Sequence, residues 1–294
     1  MGGVKKAKRQ PIVDCHQHVK WYGHDADRVV ANLDRNGIDA AWLLTWEAPP
    51  EDTEGYEHVF WPGRHCMPLE DVVEAVAKYP DRFVPFYAPD PRDPKALRKL
   101  KGAVEHLGVR GVGEIKVRIM LDDPRALEMF YFCGERGLPV IIHMDVPLPR
   151  HDFSRPPTMW YCCDWENLAR VLELFPKTIF IGHAPGFWRE ISGDADSCPD
   201  IYPKGPVKPG GRLPKYLDRY PNLYCDLSAG SGFTALSRDP EAGKAFLLKY
   251  QDRCLFGRDF YDDKHLDFIR KCRLPREAEA RILGGNADRL VPRS

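Results

Sequence analysis

Short apolar segments alternate with amphipathic segments along the chain, and this alternation limits the fold more than any other feature. Segments rich in Val, Ile and Phe are typical of buried strands, and they cover residues 11–18, 38–46, 82–90, 110–118, 139–145, 178–184, 222–228 and 254–260. Helical patterns lie between them, at 25–36, 68–79, 93–107, 123–136, 163–175, 211–220, 238–250, 263–272 and about 276–290. Strands that are apolar nearly throughout indicate a parallel sheet covered on both faces.

Eight strand–helix units in succession predict an α/β fold, specifically a (β/α)₈ TIM barrel. A length of 294 residues suits such a barrel with insertions. The alternative is an open, doubly wound sheet, but no Gly-x-Gly-x-x-Gly follows a strand to support a dinucleotide site. We find no linker, so residues 1–294 are expected to form a single domain.

Two connections are long and rich in turn-forming residues. They cover residues 47–67, after the second strand, and 185–211, after the sixth. In a barrel both would lie at the C-terminal mouth, where active sites form, and loops of this length usually have a function. We therefore predict that both are insertions at the mouth of the barrel.

The charge balance does not favour a nucleic-acid partner, although a local charged patch is still possible. The 43 basic and 43 acidic residues give a formal net charge of +0, so no excess favours nucleic acid.

No apolar stretch approaches the length of a membrane span, and the first ten residues lack the apolar core of a signal peptide. Nine cysteines without disulfide-scaffold spacing are typical of reduced thiols, so we expect a cytoplasmic protein.

The first strand, PIVDCHQH, carries a pair of histidines at its end. Side chains two residues apart in a strand point to the same face, so His16 and His18 would lie together, with Asp14 beside them. Two imidazoles on one face can bind a cation such as zinc. The same pattern also occurs by chance in loops, so the other strands have to support a metal site.

Polar residues recur at the ends of the later strands. They are Glu114 and Lys116 on the fourth strand, His143 on the fifth, His183 on the sixth, Asp226 and Ser228 on the seventh, and Asp259 on the eighth. Charged side chains are rarely buried unpaired, and the C-terminal ends of barrel strands meet at one mouth. The pattern predicts a metal or acid–base site there, with Asp226 orienting a ligand histidine.

Several short motifs, in this order, resemble the amidohydrolase superfamily: DCHQH, IIHMD, IFIGHA, FGRDF and ILGGNADRL. They are most similar to the amidohydrolase-related (amidohydrolase 2) branch, which includes non-oxidative decarboxylases and lactonases. The resemblance implies His16, His18, His143 and Asp259 as metal ligands. It also implies His183 as a ligand or an acid–base residue.

The fourth strand departs from the mononuclear pattern of that branch. Its VGEIK segment resembles the glutamate-bearing strand of TatD-type deoxyribonucleases, which are binuclear, and this implies Glu114 as a further ligand and one or two metal ions. The alternative is an ion pair of Glu114 with Lys116 or Arg118; Lys116 itself is either modified or ion-paired. Zn²⁺ is the favoured ion and Mn²⁺ the alternative, because both suit histidine and carboxylate ligands.

Candidate substrate contacts follow the strand ends. Arginine forks suit carboxylates and phosphates, so Arg118, Arg150, Arg189 and Arg258, with Lys208, indicate a small anionic substrate. Tryptophans in or beside the mouth loops are candidate walls of the pocket, and these are Trp46, Trp61, Trp160 and Trp188.

The favoured function is a metal-dependent hydrolase acting on an ester, lactone, amide or phosphoester. A metal-activated water would attack, with Asp259 taking its proton and His183 stabilising the oxyanion or protonating the leaving group. The alternative is a metal-dependent decarboxylase of a hydroxylated aromatic or unsaturated acid. A third interpretation is a non-catalytic barrel that keeps the metal only as a structural element, or that serves as a binding partner. A homo-oligomer is compatible with the resemblance, but no apolar stripe specifies its interface.

Overall fold

Parallel strands alternate with helices in the computed structural model, which describes residues 10–145, 160–162 and 164–293. The strands are β1 Val13–Gln17, β2 Ala40–Leu43, β3 Phe83–Pro85, β4 Val112–Ile115, β5 Val140–His143, β6 Phe180–His183, β7 Leu223–Asp226 and β8 Cys254–Leu255. The helices are α1 Ala26–Asn36, α2 Leu69–Lys78, α3 Ala96–His106, α4 Pro124–Arg136, α5 Trp165–Leu174, α6 Pro185–Trp188, α7 Arg212–Arg219, α8 Ala229–Ser237, α9 Pro240–Lys249, α10 Lys264–Lys271, α11 Arg276–Ala280 and α12 Asn286–Leu290.

The strands form a closed ring. Strands β1, β2 and β3 pair in sequence order, and so do β4 to β8. Backbone hydrogen bonds join the two sets at both edges: Tyr87 N–H donates to Gly111 C=O (3.1 Å), and Cys15 N–H donates to Phe256 C=O (2.9 Å). The predicted TIM barrel is therefore confirmed, and the open-sheet alternative is wrong.

The core has two parts. Inside the ring lies a cluster that includes Val13, Trp42, Phe86 and Ile141, in which the Trp42 and Phe86 rings stack 4.5 Å apart. A larger cluster fills the space between the strands and the surrounding helices. Because apolar side chains fill the ring, it is a packed core rather than a channel, and a binding site has to lie at one of its ends.

Helix α8 differs from the sequence-based expectation. Its sequence AGSGFTALS contains two glycines, which disfavour a helix, and no helix was predicted there. Gly232 explains the composition, because a Cβ atom at this residue would lie 2.2 Å from the carbonyl oxygen of Leu227. Close packing at the end of β7 therefore selects glycine where intrinsic propensity would not.

The last predicted helix, at about 276–290, is interrupted. A π-helical turn at Arg281–Gly285 separates α11 from α12. A Cβ atom on Gly284 would lie 2.1 Å from Pro11 O, and Phe256 N–H donates to Ile282 C=O (3.0 Å). The turn thus packs directly against the chain entering β1 and against the residue after β8.

The two long connections contain short helical turns. Pro50–Asp52 forms a 3₁₀ turn in the first, and the second contains α6 and 3₁₀ turns at Arg189–Ile191 and Ala195–Ser197. The assignment of residues 1–294 to one domain with two mouth insertions stays a prediction. In the described part of the chain, no helix combines the length and apolar character needed to cross a membrane.

Candidate metal centre

Imidazole and carboxylate groups from five strands meet at the C-terminal end of the barrel. His16 lies in β1 and His18 just after it, Glu114 lies in β4, His143 and His183 end β5 and β6, and Asp259 follows β8. The histidines and Glu114 are buried, and the Asp259 side chain is 17% exposed. The structure therefore brings together all six residues predicted as metal ligands.

The histidine pair of β1 has the spacing of two ligands of one ion. The Nε2 atoms of His16 and His18 are 3.2 Å apart. Two nitrogen ligands held at about 2.0–2.1 Å by a tetrahedral zinc ion are separated by about 3.3 Å. His18 Nδ1 lies 2.9 Å from Leu44 C=O, which orients the ring and leaves Nε2 for a metal.

Asp259 faces three of these imidazoles. Its Oδ1 lies 3.6 Å from His16 Nε2 and 3.4 Å from His18 Nε2, and its Oδ2 lies 3.6 Å from His183 Nε2. Among the described residues, Oδ1 is buried without a hydrogen-bond partner. A buried, orphaned carboxylate oxygen beside imidazole nitrogens fits a bound cation.

Glu114 connects the two sides of the cluster. Its Oε2 lies 2.8 Å from His143 Nδ1, 3.8 Å from His183 Nε2 and 3.9 Å from His16 Nε2. Three overlapping groups place their ligand atoms within 4.8 Å of one another: His16–His18–Glu114, Glu114–His143–His183 and His16–His183–Asp226. This donor set fits a divalent ion, and the sharing of residues between groups is compatible with one ion or two.

Asp226 and Ser228 orient the histidines from behind. Asp226 Oδ2 lies 2.6 Å from His16 Nδ1 and 3.3 Å from His183 Nδ1, and Ser228 Oγ lies 3.0 Å from His183 Nδ1. Because Nδ1 of both rings is occupied, Nε2 of both is directed at the centre of the cluster. The role expected for Asp226 is thus compatible with its position, and the contact of Ser228 with His183 could not be predicted from the sequence.

The carboxylates and imidazoles shift one another's ionisation. Burial would raise the pKa of Asp226 and of Asp259, but the neighbouring imidazoles hold each pKa well below its usual range. Burial would lower the pKa of His183, but Asp226 and the other carboxylates raise it to about 10. Without metal, the cluster therefore keeps its carboxylates ionised and holds a proton on His183.

A cavity of about 570 Å³ opens above the cluster. His143, His183 and Asp259 form part of its lining. Large aromatic side chains stand at its rim, and Tyr22, Tyr202 and Phe260 are 43%, 44% and 42% exposed. The volume suits a small molecule, and the aromatic rim provides apolar contact area next to the polar centre.

The predicted substrate-binding arginines occupy different surroundings. Arg258 lines the cavity, but it is buried and its Nε donates to Asp14 Oδ2 (2.6 Å). The backbone N–H of Arg118 donates to Asp52 Oδ2 (2.9 Å). Arg189 is buried and donates to the carbonyl oxygens of Ala195 and Cys198. Arg150 lies outside the described residues. Binding of substrate by these four arginines stays a prediction.

Asp14 does not join the cluster, although alternation along a regular strand would place it with His16 and His18. The pairing of β1 with β2 shifts between Asp14 and Gln17, so the strict two-residue repeat does not hold there. The Asp14 carboxylate instead pairs with Arg258, and both side chains are fully buried.

Lys116, which the sequence predicts to be either modified or ion-paired, is a cation of this cavity. It lines the cavity, is 6% exposed, and its Nζ lies 4.0 Å from the ring centroid of Trp46. Burial would lower the pKa of Lys116, but nearby acidic groups, Glu114 foremost, raise it above its usual value. No local signal predicts this environment, because its aromatic rings come from separate segments of the chain.

Several solved structures share the fold. A dihydroxybenzoic acid decarboxylase from Polaromonas sp. JS666, with bound manganese, is 19% identical with a TM-score of 0.60, covering 96% of this chain and 97% of that chain. A probable 2-pyrone-4,6-dicarboxylic acid hydrolase from Acinetobacter baumannii is 14% identical with a TM-score of 0.57, covering 95% and 98%. An amidohydrolase from Burkholderia multivorans, with bound zinc, is 13% identical with a TM-score of 0.60, covering 96% and 100%.

Sequence comparison supplies the family. No curated protein matches the chain. The likeness of strand β4 to TatD-type enzymes stays a prediction. The sequence profile of the amidohydrolase family matches residues 13–293, which is nearly the whole chain. The protein therefore belongs to the amidohydrolase family.

Proposed function

We propose that the protein is a metal-dependent hydrolase that cleaves an ester, lactone, amide or phosphoester bond of a small anionic substrate. The observation that carries this proposal is the position of Asp259, 3.4–3.6 Å from the Nε2 atoms of three histidines at the edge of the cavity. A carboxylate at this position can accept the proton of an attacking water.

The proposed ligands are His16, His18, Glu114, His143, His183 and Asp259, with Zn²⁺ the favoured ion and Mn²⁺ the alternative. Solved relatives hold one or the other of these ions. A divalent ion would lower the pKa of a water molecule and polarise the substrate oxygen.

The chain's own groups would move the proton. The pKa of Asp259 is held well below its usual range by His16 and the other imidazoles, against the effect of burial, so the carboxylate is ionised at neutral pH. Asp259 would take a proton from the attacking water and return it to the leaving group. Asp226 and Ser228 hold His183 through Nδ1, so that Nε2 faces Asp259 and Glu114, where it serves as a ligand or stabilises the developing oxyanion.

Decarboxylation is the second candidate, and the aromatic rim of the cavity favours it. Tyr22, Tyr202 and Phe260 would suit a planar ring, and one solved relative is by title a dihydroxybenzoic acid decarboxylase. In this reaction the bond between the ring carbon and the carboxylate breaks, CO₂ leaves, and a proton takes its place on the carbon. Because Asp259 is ionised at neutral pH, it would first take a proton from the substrate hydroxyl or from water and then pass that proton to the ring carbon.

Two assays on the metal-loaded protein separate these reactions. One measures the acid product formed by hydrolysis of a panel of lactones, esters, amides and phosphoesters. The other measures CO₂ released from hydroxylated benzoic acids. We expect hydrolysis, and we expect Asp259→Asn to reduce it by about 10²–10⁴-fold. Asp252→Asn makes the same change at a surface aspartate, paired with Arg281, and should leave the rate unchanged.

Each outcome has a separate meaning. Release of CO₂ without hydrolysis would replace the first proposal by the second. Absence of both reactions in protein that contains its full metal complement would reject an enzymatic function on these substrate classes.

A further inference from the structure

We propose that Lys116 is a specificity-determining residue, whose ammonium group binds an anionic group of the substrate, a carboxylate in the first instance. This anionic group is not part of the bond that is cleaved. This inference rests on the proposed function of the site. It concerns which small molecules the cavity selects, whereas the metal cluster concerns the reaction.

Among the described residues, the groups around Nζ hold a cation without using up its hydrogen-bond donors. Three aromatic rings surround it, with centroids at 4.0 Å (Trp46), 4.8 Å (Tyr56) and 5.9 Å (Tyr161). Aromatic faces attract an ammonium group by their quadrupoles, but they do not replace its hydrogen bonds to water. An ammonium group has three N–H donors. A ligand in the cavity, which Lys116 lines, would meet those donors.

Glu114 does not satisfy this ammonium group. The distance from Lys116 Nζ to Glu114 Oε1 is 3.9 Å, beyond hydrogen-bond length. The other oxygen of Glu114 lies 2.8 Å from His143 Nδ1, so this carboxylate is engaged mainly with the histidine cluster. Asp145 and Asp259 line the same cavity, so an anion at Nζ would gain hydrogen bonds from the ammonium group rather than complete a charge balance.

Neighbouring contacts hold the position of the cation. Trp46 Nε1 donates to the carbonyl oxygen of Lys116 itself (2.6 Å), so the ring and the lysine are tied together. Tyr161 Oη donates to the carbonyl oxygen of Asp52 (2.5 Å), and Trp46 contacts the Tyr56 ring edge-on at 5.1 Å. Because the three rings around Nζ are fixed before a ligand arrives, these side chains lose little conformational entropy on binding.

The test uses benzoate and its uncharged analogue benzamide as probes, titrated into the full chain at pH 7 and followed by calorimetry, with and without metal. We expect the wild-type protein to bind benzoate at least about tenfold more tightly than benzamide. We expect Lys116→Met to lose that preference while benzamide binding stays, and Lys116→Arg to retain it. Metal content and the melting temperature of each variant are measured in parallel.

Lys177→Met is the matched control, because Lys177 is an exposed lysine paired with Glu135 at 2.9 Å and does not line the cavity. It should leave the preference for benzoate unchanged. If Lys116→Met does not fold, Lys116→Gln replaces it. A wild-type protein without preference for benzoate, or a folded Lys116→Met or Lys116→Gln protein that keeps the full preference, would overturn the inference.

The experiment separates this inference from the proposed function. Preferential binding of benzoate together with an inactive hydrolysis panel would reject the hydrolase and retain Lys116 as the anion site. Hydrolysis without any preference for an anion would reject the role of Lys116 alone.

Discussion

Asp226 lies behind His16, with 2.6 Å between Oδ2 and Nδ1, and the same oxygen is 3.3 Å from His183 Nδ1. One buried carboxylate thus orients two imidazoles that come from different strands. We expect Asp226→Asn to weaken metal binding by about 10–100-fold, because the amide cannot accept from both rings as strongly. Competition with a chromogenic chelator measures this affinity.

The control for this change is Asp218→Asn, at an exposed aspartate that pairs with Lys249. It should bind metal as the wild type does. An Asp226→Asn protein with wild-type metal affinity would show that His16 and His183 are held by their other contacts.

His183 should make the metal-free protein less stable as the pH rises. Its pKa in the folded state is about 10, whereas an unfolded histidine titrates near 6.5. Between these values the native state binds more protons than the unfolded state, so this stabilisation is complete below about pH 6.5 and is lost as the pH approaches 10. Urea unfolding in the presence of a chelator should give a lower free energy of unfolding at pH 9.5 than at pH 6.5. In His183→Asn the difference between the two pH values should be smaller.

The same proton should oppose metal binding. A metal ion that takes His183 Nε2 must displace the proton, and the pKa of His16 is also raised by Asp259 and Asp226 against the effect of burial, so we expect at least about one proton to be released on loading at pH 7. The apparent affinity should then rise up to about tenfold per pH unit for that proton. Calorimetry in buffers of different ionisation enthalpy counts the protons. Loading without proton release would show that His183 is neutral before the metal arrives.

Asp14 and Arg258 form a fully buried ion pair, with 2.6 Å between Oδ2 and Nε. Replacing only one partner leaves an uncompensated buried charge, so Arg258→Met should lower the free energy of unfolding by about 3–5 kcal/mol. The double variant Asp14→Leu, Arg258→Met should recover much of this loss. Chemical denaturation of the two variants provides the comparison, and equal losses in both would contradict a charge-based explanation.

Gly232 in α8 should not tolerate a side chain. An alanine Cβ would lie 2.2 Å from Leu227 O, which belongs to the backbone and cannot rotate away. We expect Gly232→Ala to cost about 1–3 kcal/mol. Gly102→Ala is the matched control in α3, since nothing lies within 4 Å of its Cβ position, and it should be neutral or stabilising. Thermal unfolding of both variants tests the pair.

Strand-end chemistry was predictable from the sequence because strand periodicity and polar residues are both local signals. His143 and His183 end β5 and β6 as expected, and the eight strands lie within the predicted segments. The interruption at Arg281–Gly285 was not predictable, since it depends on the close approach of Pro11 to Gly284.

The lining of the cavity shows the limit of sequence reasoning more clearly. Arginines after strand ends suggested anion binding, but Arg258 pairs with Asp14, 244 residues away in sequence, because the eighth strand returns to the first. Lys116 lies among Trp46, Tyr56 and Tyr161, and no spacing in the sequence relates these four residues. Such contacts depend on tertiary packing alone.

Closure of the ring between β8 and β1 has a consequence for folding. Cys15 with Phe256, Asp259 N–H with His16 C=O, and His16 with Asp226 all join residues more than 200 positions apart. Contacts of this kind carry a high loop-closure entropy and form late. The cluster of His16, Asp226 and Asp259 therefore exists only after both ends of the chain have met, so metal uptake during refolding would report completion of the barrel rather than early collapse.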